Sequence, residues 1–160
     1  MLLRHLLAVA VFAMPGSLAG QHPDFSGTWT IDATKSSASG QMAVPSSGMA
    51  TITQKSDTIT VDSRSSSEAG ELVLKKYYVV DGKSYKNAMT YAGTDMALSS
   101  TLSWNGAALK IHTVTDYNGT PVEQDEVWSL SADGKSMTQT TTTSVQGAEW
   151  AVLTLVYVKK

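Results

Sequence analysis

Residues 98–130 read LSSTLSWNGAALKIHTVTDYNGTPVEQDEVWSL, and this segment decides the fold. Two Asn-Gly pairs, Asn105-Gly106 and Asn118-Gly119, divide it into three runs in which apolar and polar residues alternate. Asn-Gly takes the positive φ angles of a type I′ turn, whose twist matches the strands on either side, so each pair reads as a hairpin tip. A tip at Asn105-Gly106 sets Trp104 opposite Ala107, Leu102 opposite Leu109, Ser100 opposite Ile111 and Leu98 opposite Thr113. A tip at Asn118-Gly119 sets Thr115 opposite Val122, Thr113 opposite Gln124, Ile111 opposite Glu126 and Leu109 opposite Trp128. Side chains alternate between faces, so cross-strand partners share one side of the sheet. Both tips turn the same side of the shared strand inward. That side carries Leu98, Leu102, Trp104, Leu109 and Ile111, continued by Val122, Gln124, Glu126, Trp128 and Leu130.

The pattern extends along the chain. Asp81-Gly82 and Asp133-Gly134 are further reversal signals, and Tyr78 and Tyr85 face each other across the first of them. Strands are expected at about Phe25–Ala33, Met49–Lys55, Thr58–Ser66, Glu71–Val80, Lys83–Tyr91, Met96–Trp104, Ala107–Tyr117, Thr120–Ser131, Lys135–Val145 and Glu149–Val158. Lys35–Gly48, rich in Ser with Gly40 and Pro45, reads as a long loop crossing one end. Abundant Thr, including the run from Thr140 to Thr143, suits a pleated surface. The expected fold is all-β, an antiparallel up-and-down barrel of about 8–10 strands.

The first residues read as an address. A basic start through Arg4, an apolar run from Leu6 to Met14, the break Pro15-Gly16 and the small residues Ser17-Leu18-Ala19 form a secretory leader. The apolar run is too short to span ~30 Å of hydrocarbon. Residues 1–19 are thus expected to be a signal peptide, residues 20–160 one barrel domain, and the protein exported to the periplasm or beyond. No integral membrane span is expected after leader removal. The chain has no cysteine, which excludes a disulfide, a thiolate nucleophile and lipid attachment through sulfur. A net charge of −2 and the lack of a basic patch argue against a nucleic-acid partner.

Gly27-Thr28-Trp29, at the start of the first strand, resembles the Gly-x-Trp signature of lipocalins and their calycin relatives. The longer runs Phe25–Asp32 and Trp128–Lys135 are similar to a group of small exported bacterial proteins described as lipocalin-like. The resemblance implies an eight-stranded barrel with Trp29 closing one end, often beneath a basic side chain, for which Arg64, Lys159 and Lys160 are candidates. Gly27 and Trp29 are then structural barrel-end residues. The chain departs from lipocalins in its strand count, nearer ten, and in lacking their paired cysteines. Avidins also begin a strand with Gly-Thr-Trp, but their biotin-contacting set has no counterpart here.

Chemistry is sparse. His112 falls on the outer face opposite Asp125, where a surface pair outweighs metal or haem ligation, and His22 precedes the first strand as an exposed, flexible residue. No Gly-x-Ser-x-Gly elbow, phosphate loop or inward carboxylate pair is found, so no catalytic residue, metal ligand or cofactor is assigned. Glu126 is notable because it falls on the apolar side between Gln124 and Trp128. It is either wet at the barrel mouth, or turned outward by a bulge, or a polar hook inside a ligand cavity. Inward Ser100, Thr113, Gln124, Gln139, Thr141 and Thr143 make the interior mixed, which favours a wet cavity. The candidate ligand-binding residues are Tyr78, Tyr85, Trp104, Gln124, Glu126 and Trp128, and the expected partner is a small hydrophobic or amphipathic molecule. The other reading is a protein-interaction module, an exported inhibitor or envelope factor acting through its loops, with its protein partner unknown.

Overall fold

A computed structural model describes residues 22–117 and 119–160. The leader expected at 1–19 and the turn residue Asn118 lie outside the described residues. The strands are β1 (Gly27–Ile31), β2 (Ser37–Gly40), β3 (Ser47–Lys55), β4 (Thr58–Ser67), β5 (Gly70–Val79), β6 (Ser84–Tyr91), β7 (Thr94–Asn105), β8 (Ala108–Tyr117), β9 (Thr120–Leu130), β10 (Ser136–Val145) and β11 (Ala148–Lys159). There is no helix among the described residues. Each strand from β3 onward pairs antiparallel with the next, β1 pairs with β3, and β1 also pairs with β11. Ten strands therefore close into a ring, and β2 adds to the outer length of β11.

The register fits the turn chemistry with one displacement. Around Asn118-Gly119 the pairing is as expected, with Thr115 on Val122, Ile111 on Glu126 and Leu109 on Trp128. At the preceding hairpin the partners are Leu98 with Thr115, Leu102 with Ile111 and Trp104 with Leu109, two residues away from the expected register. The loop residues there are Gly106-Ala107 rather than Asn105-Gly106, with Gly106 at φ 61°. A type II′ turn needs glycine only at its first central position, so the same glycine serves either turn. A slip of two leaves every side chain on its expected face.

Two segments differ from expectation. Ser37–Gly40, placed in a loop by its composition, is a strand paired with Ala151–Thr154. It continues the line of β1 after a bend at Asp32–Ser36, where Asp32 N donates to Val156 O and Val156 N to Ser36 Oγ. All four of its residues are exposed, so backbone pairing alone holds it and no apolar alternation marks it. The crossing is left to residues 41–46, with Pro45 buried and Ser46 N on Ser66 O. Likewise, β5 and β6 pair only from Leu72–Lys75 to Ala88–Tyr91. Beyond that the two strands part, and Asn87 Oδ1 accepts from Tyr77 N at 2.6 Å in place of a ladder bond.

Candidate functional site

The inward side chains form two layers and a polar seam between them. At one end lie Phe25, Trp29, Ile52, Ile59, Leu102, Leu109, Trp128, Met137 and Tyr157, one continuous apolar cluster. Residues 22–26 stopper this end. Phe25 is fully buried against Trp104 and Trp128, and its carbonyl accepts from Trp29 Nε1 at 2.9 Å. Gln54 holds the segment by accepting from Phe25 N and donating to Pro23 O. His22 is exposed as expected but not loose, because its ring stacks on Trp104 at 4.2 Å.

The Gly-x-Trp motif has a local explanation. Lys159 Nζ sits 5.2 Å from the centre of the Trp29 ring, the basic cover that the resemblance implied. Gly27 has φ 142°, and a Cβ there would lie 2.6 Å from Lys159 Cε. Glycine suits the position chiefly by its backbone angle, since the end of the lysine side chain can shift aside.

At mid-height Glu126 is buried and ion-paired. Lys76 Nζ donates to Glu126 Oε1 at 2.7 Å and Trp128 Nε1 donates to Oε2 at 3.1 Å, with only 5 % and 7 % of the two charged side chains exposed. Burial disfavours the Lys76 ammonium, but the Glu126 carboxylate and the Tyr78 oxygen together outweigh this and hold the group above its ordinary 10.5. Burial pushes the Tyr78 hydroxyl up, as it does for Tyr157, and in both cases Glu126 adds to the rise while Lys76 opposes it. Ser100 and Thr113 share a hydrogen bond of 3.0 Å on the same wall. The Tyr78 hydroxyl stands beside Lys76 and Ser100, and Asn87 Nδ2 is buried with no hydrogen-bond partner.

Above the seam the same strands turn Leu72, Leu74, Met89, Met96, Thr115, Val122, Gln124 and Thr141 inward, and each is only half-buried. Gln124 Nε2 donates to Thr143 Oγ1 at 3.3 Å, and Met42 reaches Thr143 from the crossing segment. The interior is a cup, with a packed floor, a polar seam and a mouth open to solvent.

Among the expected site residues, the structure brings Tyr78, Glu126 and Trp128 together at the seam and sets Gln124 just above them. Trp104 belongs to the stoppered end. Tyr85 does not face Tyr78. The ladder between β5 and β6 has ended there, so its ring packs edge-on against exposed Tyr77 at 6.0 Å and its hydroxyl donates to Asp81. Lys76 was missed, although its signal was present: two residues before inward Tyr78, period two puts it on the inner face. His112 and Asp125 form the expected outer pair at 2.9 Å. Among the described residues no group of His, Asp and Glu has the arrangement of a metal site.

Solved structures with this architecture include zebrafish ileal bile acid-binding protein complexed with cholic acid, with 19% identity and TM-score 0.53 over 85% of this chain and 98% of that one. The wild-type fluorescent protein UnaG aligns at 17% and 0.55 over 85% and 97%. Fatty-acid-binding protein 1 of Echinococcus granulosus aligns at 13% and 0.52 over 84% and 96%. The fold is a lipocalin-like barrel. At these identities the likeness is one of fold. No protein-family model matches the chain. No curated protein matches it in sequence.

Proposed function

We propose that this lipocalin-like protein is exported and holds a small amphipathic or hydrophobic molecule in the open half of its barrel. The observation that carries the reading is the half-buried inward set above the seam. Leu72, Leu74, Met89, Met96 and Val122 offer apolar surface, while Gln124 and Thr141 offer hydrogen bonds. A concave apolar wall with a few convergent polar groups is the usual make-up of a small-molecule site. Barrels named for bile-acid and fatty-acid binding share the fold, which makes such a guest a natural occupant. Export rests on the leader-like residues 1–19.

The test is organic extraction of natively purified protein followed by mass spectrometry, together with tryptophan fluorescence during titration with fatty-chain compounds. The expected result is a stoichiometric small molecule and a saturable change in emission from Trp128, which sits at the floor of the cup. An empty extract and a flat titration would move the reading to a protein-interaction module acting through its loops.

A further inference from the structure

The wall of the cup is split at one place on its rim. Strands β7 and β8 reach Thr94 and Tyr117, yet the ladder between them ends at Leu98 and Thr115. Thr115 Oγ1 donates to Ala97 O at 2.9 Å, so a side chain stands where the ladder stops. Beyond that point lies a cleft of about 470 Å³, lined by Tyr91, Asp95, Met96, Ala97, Asp116 and Tyr117. Alternation puts Tyr91, Met96 and Tyr117 on the inner face, with Leu72, Met89 and Thr115, and puts Asp95, Ala97 and Asp116 on the outer one. Side chains of both faces line one cavity, so it lies in the thickness of the wall and adjoins the cup.

Its lining suits a cation. Tyr91 and Tyr117 are 37 % and 54 % exposed, so their rings are offered to solvent rather than packed away. Asp95 Oδ1 accepts from Thr90 Oγ1 and Asp116 Oδ1 from Gly119 N, each at 2.6 Å, which holds both carboxylates in place. Among the described residues neither carboxylate is ion-paired. An ammonium is drawn to the face of an aromatic ring, and more so with a carboxylate beside it. The surrounding field has the same sign. Within four residues of the mouth turns at 67–70, 91–94, 117–120 and 145–148 stand Glu68, Glu71, Asp95, Asp116, Glu123 and Glu149. No lysine falls there, and the single arginine, Arg64, is met by Glu71 at 3.4 Å.

We infer that the guest of the cup is a cationic amphiphile, its apolar body lying on Met96, Met89 and Leu74 and its ammonium head lodged in this cleft. The inference rests on the ligand-binding reading above and names the ligand class by its head. A neutral amphiphile would gain the apolar wall but nothing from the carboxylates. A carboxylate guest would enter a mouth of its own charge. The Lys76–Glu126 pair below is neutral as a unit and only 5 % and 7 % exposed, so the seam does not offset the rim.

The experiment compares decyltrimethylammonium, decanol and decanoate, one chain with three heads, by calorimetric titration of the intact barrel at neutral pH. The ammonium compound is expected to bind about five- to tenfold more tightly than decanol, with decanoate weaker still. Equal or tighter binding of either competitor overturns the inference and leaves the proposed function standing. If none of the three binds, both fall. Raising salt from about 0.02 M to about 0.5 M should remove most of the preference. A preference untouched by salt would come from the methyl groups alone and would also overturn the inference. Replacing both cleft carboxylates, Asp95→Asn with Asp116→Asn, keeps oxygens that can accept from Thr90 and Gly119. That variant should leave thermal unfolding and decanol affinity unchanged while the ammonium compound drops to the level of decanol. Undiminished ammonium binding there would place the head elsewhere and sink the assignment. Tyr117→Ala should weaken the ammonium compound about threefold.

Discussion

At the stoppered end of the barrel the inward side chains are large and apolar, and Phe25, Trp29, Ile52, Ile59, Leu102, Leu109, Trp128 and Met137 are 0–2 % exposed. At the other end the same strands turn Leu, Val, Met, Thr and Gln inward and leave them only half-buried. One sheet therefore does two jobs at two heights. Burial of apolar area holds the floor, at roughly 25 cal/mol per Å². The upper half contributes little burial of its own and rests on strand pairing continuous with the floor. A scaffold that concentrates stability in one layer leaves the other free to meet a guest.

That division can be broken at the floor first. Trp29→Ala removes a fully buried indole, its bond to Phe25 O and the support for Lys159, and is expected to cost about 3–5 kcal/mol in denaturant unfolding. A loss below about 1 kcal/mol would show that the stopper is not where stability resides.

The seam comes next. Lys76→Met strands the Glu126 carboxylate and is expected to cost about 3 kcal/mol. Adding Glu126→Gln should restore most of it, because a neutral amide still accepts from Trp128. The seam also predicts alkaline behaviour. Lys76, Tyr78 and Tyr157 hold their protons in the fold above their ordinary values of 10.5, 10.0 and 10.0. The unfolded chain releases those protons first, so stability is full below about pH 10 and falls as pH rises beyond it. Phenolate absorbance followed during base titration should show two tyrosines appearing only together with loss of β circular dichroism.

The smallest effect is expected at the mouth. Gln124→Leu should change unfolding free energy by no more than about 0.5 kcal/mol while altering guest affinity. A large loss there would erase the distinction between floor and mouth.

The sequence carried the barrel because its reversals are chemical. Glycine at Gly106 and Gly119 compels a turn, and alternation along β7, β8 and β9 then assigns faces that survive even a two-residue slip. It did not carry β2, whose four exposed residues are held by backbone pairing to β11, an interaction without a side-chain signature. The site was half legible. Glu126 stood out as a carboxylate on an apolar face, but its partner lies 50 residues earlier on β5, and only the closed ring brings the two strands into reach. Tyr85 was misplaced because β5 and β6 separate beyond Lys75 and Ala88, a departure that no local pattern announces.

Trp29 is paired with Lys159, and Lys160 N donates to Thr28 O, so the ring is sealed by residues from opposite extremes of the described chain. Such a join has a very long sequence separation, and topologies of that kind fold slowly. A ribosome-bound chain whose strand β11 is still in the exit tunnel cannot complete the circle. The polypeptide stays available to whatever machinery handles it next until β11 is free to pair with β1.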